Sequence, residues 1–306
     1  MRLLVVGAGA TGGYFGGRLV QAGRDVTFLV RPARAAQLAR GLRIVSPYGD
    51  VTVVPRLVMA GEISAPFDAV LVTVKAYSLE QAMADFAPAV GPDSVIVPVL
   101  NGMRHMDLLA ARFGKKAVVG GLCKVASTID EEGRIAHLAR FQDLVYGEMD
   151  GSLSPRMRAL DAFLQGALFD ARLSPRIEAE MWEKWVMMAA LAGVNCLMRG
   201  SVGEITAAAG GAAFAQAFLD EVTAAVTACG HRPSDEAVAF LRSLLTARDS
   251  SLVASMYRDM QKGNPIEADQ IIGDLLTRAK AAGVSTPLMA AAYAALSVYQ
   301  NRLQRA

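Results

Sequence analysis

The chain has 306 residues, of which 53% are hydrophobic, and a net charge of +2 from 31 basic and 29 acidic side chains. This length predicts two domains, and the hydrophobic content is sufficient for a core in each. Because charges of both signs are mixed along the chain, the composition argues against nucleic-acid binding and against a polybasic membrane patch. The three cysteines are widely spaced, which argues against a disulfide framework and fits the reducing cytoplasm.

The N-terminal residues have the pattern of a strand, a glycine turn and a helix. The apolar run 2–6, too short for a secretory signal, leads directly into a Gly-x-Gly-x-x-Gly motif made of Gly7, Ala8, Gly9, Ala10, Thr11 and Gly12. In a dinucleotide site the first glycine makes the tight turn, the second lets the backbone approach a pyrophosphate, and the third lets the helix pack closely on the strand. The anion then lies against the N–H groups at the positive end of the helix.

The end of the next predicted strand, 25–30, indicates which dinucleotide is bound. An NAD-specific protein usually has an acidic residue there, which binds the ribose 2′-hydroxyl. This chain has Arg31, with Arg34 one turn later. A guanidinium can bind a 2′-phosphate through paired charge-assisted hydrogen bonds, so we predict NADPH as the cofactor. The alternative is that both arginines are ordinary solvated surface residues.

The first half of the chain alternates β-rich runs with helix-like segments. The candidate strands are 2–6, 25–30, 69–74, 94–97 and 117–119. This rhythm predicts a doubly wound parallel sheet, that is, a Rossmann-like α/β domain. The turn-rich segment 40–58 predicts an inserted hairpin, short strands are expected within 134–146, and a helix is expected after Ser154-Pro155.

The second half, after Ser174-Pro175, is rich in alanine, leucine and methionine and predicts an all-helical domain. Helix starts are indicated at Ser201-x-x-Glu204, at 233–235 and at Thr286-Pro287. The apolar stretch 185–198 is shorter than the roughly 20 residues that span a bilayer, so we expect a buried core helix. We therefore predict a dinucleotide-binding domain over 1–174 and a helical substrate domain over 175–306.

Two polar residues follow predicted parallel strands, at the edge where open α/β sheets bind ligands. Lys75 follows the strand 69–74, and Asn101 follows the apolar run 95–100. Both are candidate binding residues. The alternatives are an ordinary surface lysine and an Asn-Gly turn.

In the second half, Lys184 lies near the start of the long apolar helix. Met188, Leu191 and Asn195 share its face, because neighbours on a helix recur every three or four residues. A lysine at the edge of such a face often extends its ammonium to water, and that is the alternative to a catalytic role.

Metal binding is not expected anywhere in the chain. Glu267 and Asp269 are two residues apart and cannot face one another across a helix, so they do not form a paired-carboxylate site. The histidines at positions 105, 137 and 231 are isolated from one another and from carboxylate clusters.

Taken in order, these motifs resemble the ketopantoate reductase (2-dehydropantoate 2-reductase) family, within the 6-phosphogluconate dehydrogenase-like group. The resemblance runs nearly end to end and rests on Gly7 to Gly12, Arg31, Thr73-Val74-Lys75-Ala76, Asn101-Gly102-Met103, Trp182-x-Lys184, and Ser255 spaced from Glu267-x-Asp269. It implies NADPH-dependent reduction of the 2-keto acid ketopantoate, a reaction of pantothenate biosynthesis. A small-molecule 2-keto acid is the expected partner. The helical half, rich in alanine and methionine, could form the interface of a homodimer, and the alternative is an ordinary helical core.

The resemblance also implies a role for each polar residue. Lys184 would be the general acid that protonates the developing alkoxide. Glu267 would orient that lysine, bind the substrate hydroxyl and contact the cofactor, and Ser255 would bind the substrate carboxylate. Asn101 and Lys75 would hold both the substrate and the nicotinamide ribose.

The chain departs from the family pattern at the residues that would bind the side chain of the substrate. Family members with the best-defined pantoate site have asparagines one and two turns after the helix lysine, where this chain has Met188 and Ala192. A third asparagine, near the end of the Glu-x-Asp segment, is replaced by Ile272. Asn195 is about 16 Å along the helix from Lys184 and cannot replace a residue one turn away. Recognition of a substrate hydroxyl normally requires a dedicated partner. The alternatives are therefore a reductase of another 2-keto acid and a non-catalytic NADPH-binding regulator.

Overall fold

The structure, a computed structural model, describes residues 1–305 and contains two compact units. The first unit comprises Met1–Leu100 and His105–Glu178. The second comprises Asn101–Arg104 and the described chain from Ala179 onward. These contacts divide the chain after Glu178, and the functional domain boundary at 174/175 stays a prediction.

The first unit alternates strands and helices. Its elements are β1 (Leu3–Val6), α1 (Ala10–Gln21), β2 (Val26–Leu29), α2 (Pro32–Leu38), β3 (Leu42–Val45), β4 (Val51–Val53), β5 (Arg56–Val58), β6 (Phe67–Val72), α3 (Leu79–Phe86), β7 (Val90–Pro98), α4 (Arg104–Phe113), β8 (Gly120–Ile129), β9 (Ile135–Gly147), α5 (Pro155–Leu164) and β10 (Asp170–Leu173). Short 3₁₀ helices occupy Ala76–Ser78, Ala87–Ala89 and Lys115–Ala117.

Five parallel strands form the first sheet, in the order β5-β2-β1-β6-β7. All residues of β1 and β2 are buried, as expected for strands covered on both faces. The strand order reverses between β1 and β6, and open α/β sheets bind ligands at the carboxyl ends of the strands at such a switch point. The predicted Rossmann-like domain is confirmed.

The identity of the fifth strand was predicted wrongly. Residues 117–119 contribute only one isolated bridge, between Val118 and Ile96, and the chain then enters the second sheet as β8. The edge position beside β2 is taken instead by β5, within the segment expected to be a hairpin.

The second sheet is mixed and has the long strand β9 at its centre. β9 pairs with β8 in antiparallel register and with β3 and β10 in parallel register. β3 and β4 form the expected hairpin. The helix predicted after Ser154-Pro155 is α5, and the Ser154 hydroxyl caps it by accepting the N–H of Met157.

In the part that the structure describes, the regular elements of the second unit are all helices, which confirms the predicted all-helical region. Its elements are α6 (Ile177–Met198), α7 (Val202–Ala207), α8 (Gly211–Ala228), α9 (Asp235–Leu245), α10 (Ser255–Gln261), a π-helix (Asp269–Gly273), α11 (Asp274–Ala281) and α12 (Pro287–Arg305). Ser201 and Glu204 form the predicted capping box.

The predicted core helix is α6. Trp185 is 1% exposed, and a Cβ at Gly193 would lie 2.2 Å from the ring of Phe218, so the glycine permits close packing of α6 against α8. Among the described residues, no helix combines the length and the apolar character needed to cross a bilayer.

Candidate active site

The glycine turn lies between β1 and α1, at the switch point of the first sheet. Gly7 has φ +94°, a left-handed conformation that favours glycine. Its N–H donates to the Leu29 carbonyl at 3.0 Å, and the Thr73 hydroxyl, just after β6, donates to the carbonyls of Val6 and Gly7 at 2.9 and 3.0 Å. Three neighbouring strand ends are thus tied together at this turn.

Gly12 and Gly9 have opposite surroundings. A Cβ at Gly12 would lie 2.1 Å from the Gly7 carbonyl oxygen and 2.2 Å from the Thr73 hydroxyl, so only glycine fits there. A Cβ at Gly9 would meet no described atom within 4 Å. The helix is therefore packed closely behind the turn, and the space in front of Gly9 is open.

This arrangement fits a dinucleotide pyrophosphate. Gly9 is the N-cap of α1, with no capping side chain and no acidic residue in the first turn. The N-terminal N–H groups of a helix and its positive dipole end favour an anion.

The Arg34 guanidinium is bonded to backbone carbonyls at and near the glycine turn. Its Nε donates to the carbonyl of Ala8 at 2.9 Å, and its Nη1 donates to Gln37 and to the carbonyl of Gly133. Partial burial lowers the pKa of the Arg34 guanidinium. Arg34 therefore stabilises the glycine turn through its hydrogen bond to Ala8. Its Nη2 atom is buried and has no hydrogen-bond partner within residues 1–305.

Arg31 is exposed at the start of α2 and donates from Nη2 to the Ser78 hydroxyl at 3.3 Å. Ser78 belongs to the 3₁₀ turn that begins after Lys75, and its N–H donates to the Lys75 carbonyl. The structure thus brings the Arg31 side chain to the segment that carries Lys75. Sequence reasoning missed Ser78, whose only signal is its place one turn beyond Lys75.

In the second unit, Lys184 and Met188 are half-buried on one face of α6. Ala192, two turns after Lys184, is fully buried, and so is Ile272 in the π-helix. Of the three departures noted in the sequence, only Met188 has part of its side chain accessible.

Glu267 and Asp269 have different environments, as their spacing predicts. Glu267 is 8% exposed, whereas Asp269 is exposed and accepts the hydroxyl of Tyr293 at 2.7 Å. This hydrogen bond to the carboxylate raises the pKa of the Tyr293 phenol. Asp269 therefore fixes α12 to the π-helix.

Two of the elements that carry predicted site residues meet at the π-helix. The Trp185 indole, next to Lys184, donates to the carbonyl of Ile271 at 2.9 Å. A Cβ at Gly102, next to Asn101, would lie 2.5 Å from the carbonyl oxygen of Gln270. Gly102 has φ +78°, so both its conformation and this close approach require glycine.

Ser255 is connected to α6 through Asn195. The buried Asn195 amide donates to the Gly200 carbonyl at 2.9 Å and accepts the N–H of Ala254 at 2.8 Å. Ala254 is the N-cap of α10, whose first residue is the half-buried Ser255. Asn195 thus holds the start of α10 and is not a substitute for the missing asparagines.

Replacing Asn195 by alanine is expected to lower the free energy of unfolding by about 3 kcal/mol, because a buried carbonyl and a buried N–H both lose their partner. Thermal and urea unfolding would measure the effect. The exposed Asn301 in α12 offers a matched control, and Asn301→Ala is expected to change stability by less than about 0.5 kcal/mol. Equal effects of the two changes would contradict the role given to Asn195.

No group of three or more His, Cys, Asp or Glu residues within 1–305 is arranged to hold a metal ion. The rings of two histidines are used in packing or local bonding. His231 stacks on Trp182, and His137 bonds to the Ser46 hydroxyl and the Phe141 carbonyl.

Comparison with known proteins identifies the family. Residues 3–151 match the family model "Ketopantoate reductase PanE/ApbA", and residues 176–300 match its C-terminal counterpart. An uncharacterized oxidoreductase of Bacillus subtilis is 40% identical over 303 residues, covering 98% of this chain and 99% of that protein.

Solved structures agree. The crystal structure of 2-dehydropantoate 2-reductase from Geobacter metallireducens has a TM-score of 0.87 at 28% identity, covering 97% of this chain and 99% of that one. A D-mandelate dehydrogenase solved with NADH and anilino(oxo)acetate shares the fold, with a TM-score of 0.87 at 19% identity, covering 99% of this chain and 100% of that one. The resemblance inferred from the motifs is confirmed: the chain belongs to the ketopantoate reductase PanE/ApbA family of oxidoreductases.

Proposed function

We propose that this protein reduces ketopantoate to pantoate with NADPH, and that Lys184 is the general acid. The observation that carries the proposal is the connection, within one helical unit, of the elements that carry four candidate residues. Trp185–Ile271, Gly102–Gln270 and Asn195–Ala254 link the elements that carry Lys184, Glu267, Asn101 and Ser255.

When bound, NADPH supplies the hydride that reduces the 2-keto carbon. Lys184 donates a proton to the keto oxygen as negative charge develops there, and its ammonium stabilises that charge before the transfer is complete. Lys184 regains its proton from solvent. Ser255 binds the substrate carboxylate, and Asn101 and Lys75 hold the substrate and the nicotinamide ribose.

Glu267 acts on both the lysine and the substrate. Its carboxylate orients the Lys184 ammonium and accepts the hydroxyl of ketopantoate. Glu267 is 8% exposed, and so low an exposure favours a preorganised site.

The NADPH part of the proposal rests on Arg31. Arg31 is exposed beyond β2, where it can pair with a 2′-phosphate, and the Ser78 hydroxyl beside it can donate to the same group. Lys75, on the same segment as Ser78, adds a positive charge. The related D-mandelate dehydrogenase was solved with NADH, so cofactor choice is a direct test of this assignment.

A second candidate function is reduction of a 2-keto acid with an apolar side chain, and Met188 favours it. Met188 lies one turn after Lys184 on the same half-buried face. A thioether is a weak hydrogen-bond acceptor and cannot replace an amide in binding a hydroxyl, whereas it packs well against apolar groups.

Steady-state oxidation of NADPH and NADH would test these proposals. The substrates would be ketopantoate and apolar 2-keto acids such as 3-methyl-2-oxobutanoate and phenylglyoxylate. Fast NADPH-dependent turnover of ketopantoate supports the first function. Turnover of an apolar keto acid alone favours the second, and cofactor binding without any turnover favours a regulator.

Met188→Asn is expected to raise kcat/KM for ketopantoate relative to 3-methyl-2-oxobutanoate by about tenfold, because a correctly placed amide adds a partner for the substrate hydroxyl. The ratio of kcat/KM values measures the effect, and Met188→Leu is the control for altered volume. An unchanged ratio in M188N would show that position 188 does not contact the substrate side chain.

We also propose that the protein acts in the cytoplasm and that it forms a homodimer. Cys123, Cys196 and Cys229 are all present as free thiols, which fits a reducing compartment. Sedimentation analysis of the purified protein would establish the oligomeric state.

A further inference from the structure

The helix that follows Glu267 is irregular. Asp269–Gly273 form a π-helix, in which the N–H of Asp274 donates to the carbonyl of Asp269, five residues earlier. The N–H of Ile271, by contrast, donates to the Glu267 carbonyl at 3.0 Å, four residues earlier. Such single π-turns displace the backbone by one residue, and they occur frequently at functional sites.

Side chains from two other helices hold this π-turn. From α12, Tyr293 donates to Asp269, and its ring lies where a Cβ at Gly273 would be 2.8 Å away. From α6, the Trp185 indole N–H donates to the Ile271 carbonyl. Trp185 and Ile271 are each 1% exposed, so water cannot replace this bond without rearrangement of the core.

Two hydrogen bonds therefore connect the two proposed functional groups through Ile271. Its carbonyl binds the residue next to Lys184, and its N–H binds the backbone of Glu267. Adjacent Cα atoms are about 3.8 Å apart, so a shift of the Trp185 backbone is transmitted directly to Lys184.

On this basis, and resting on the proposed function, we propose that Trp185 is a positioning residue of the reductase. Its indole N–H holds the π-turn against α6 and so sets the position of Glu267 relative to Lys184. The chain contains a matched comparison in Trp182, one turn earlier on α6.

Trp182 resembles Trp185 in burial and in its packing near Arg278, although its ring also stacks on His231, and it lacks the corresponding hydrogen bond. It is 5% exposed and packs on Trp185, with ring centroids 5.1 Å apart. The Arg278 guanidinium lies 5.9 Å from the Trp182 ring and 5.8 Å from the Trp185 ring. In the described structure, however, the indole nitrogen of Trp182 has no hydrogen-bond partner.

The test compares Trp185→Phe with Trp182→Phe. Both changes remove the same atoms from the core, so similar falls in melting temperature are expected, but only W185F removes the bond to Ile271. We expect kcat of W185F to fall about tenfold, with KM for the keto acid nearly unchanged. This is the result expected when a substitution weakens an interaction that is made only in the transition state. W182F is expected to keep kcat within about twofold.

Two further readouts separate positioning from general destabilisation. The basic limb of the kcat–pH profile, which reports the general acid, is expected to move to lower pH in W185F because the carboxylate no longer supports the Lys184 ammonium as well. Amide hydrogen exchange is expected to become faster in residues 269–273 of W185F and to stay unchanged there in W182F.

Incorporation of 3-benzothienylalanine at position 185 of W182F, which replaces only the N–H by sulfur, should reproduce the W185F defect.

Each result either supports or overturns the inference. Equal kcat values and equal pH profiles for W185F and W182F, with an active wild type and an inactive Lys184→Met enzyme, would overturn the role of Trp185 while leaving the proposed function intact. No turnover by the wild type with any 2-keto acid would overturn the proposed function and this role together.

Discussion

Lys184→Met is expected to lower kcat by about 10³-fold while leaving the NADPH dissociation constant within about twofold of the wild-type value. Methionine has nearly the same length as lysine but cannot donate a proton or stabilise the negative charge on the keto oxygen. The effect would be measured by steady-state kinetics and by fluorescence titration of NADPH.

The exposed Lys280 in α11 provides the control for charge removal. Lys280→Met is expected to leave kcat and the NADPH affinity unchanged. If K184M retained wild-type kcat, Lys184 would not be the acid, and the ammonium would have the simpler role of a solvated charge at the edge of a helix.

Substitutions in the glycine turn are expected to separate folding from cofactor binding. Gly12→Ala should lower the free energy of unfolding by about 3 kcal/mol, because the added Cβ overlaps the carbonyl of Gly7 and the hydroxyl of Thr73. The backbone carbonyl cannot move without shifting β1. Thermal unfolding without cofactor measures this cost.

Gly9→Ala is the matched variant, because its Cβ meets no described atom within 4 Å. We expect wild-type stability but an NADPH dissociation constant at least about tenfold higher, since the methyl occupies the space that a pyrophosphate would use. Unchanged NADPH affinity in G9A would place the pyrophosphate elsewhere, and wild-type stability of G12A would contradict the close packing behind the turn.

Features governed by local chemistry were predictable from the sequence. The glycine spacing predicted β1, the turn and α1, because each glycine answers a local steric requirement. Ser201 with Glu204 predicted the start of α7, and Pro287 predicted the start of α12, because caps and first-turn prolines satisfy backbone groups within a few residues.

The edge of the first sheet was not predictable in the same way. β5 has only three residues, and the run 117–119 has similar β-branched character. Which of them pairs with the sheet depends on the path of the whole chain. β8 follows this run directly, and nearly all residues of β8 pair with β9. The segment that follows Val118 therefore belongs to the second sheet.

The hydrogen bonds that connect the elements of the candidate site could not be predicted from the sequence either. Trp185 and Ile271 are 86 positions apart, and the acceptor is a backbone carbonyl, which every residue has. No side-chain pattern therefore marks the partner. Likewise, the Nε of Arg34 donates to the backbone carbonyl of Ala8, an acceptor that no side-chain pattern marks.

Residues 101–104 belong by their contacts to the helical unit, although both flanking segments belong to the other unit. The chain therefore passes from one unit to the other three times, and neither unit is formed by a single continuous segment. A chimera that takes the helices of a relative by joining the chains at 178/179 would keep the original Gly102 but receive a foreign Gln270 turn. We expect such a chimera to be more stable when the segments around Gly102 and Gln270 come from the same parent, because these two segments pack closely.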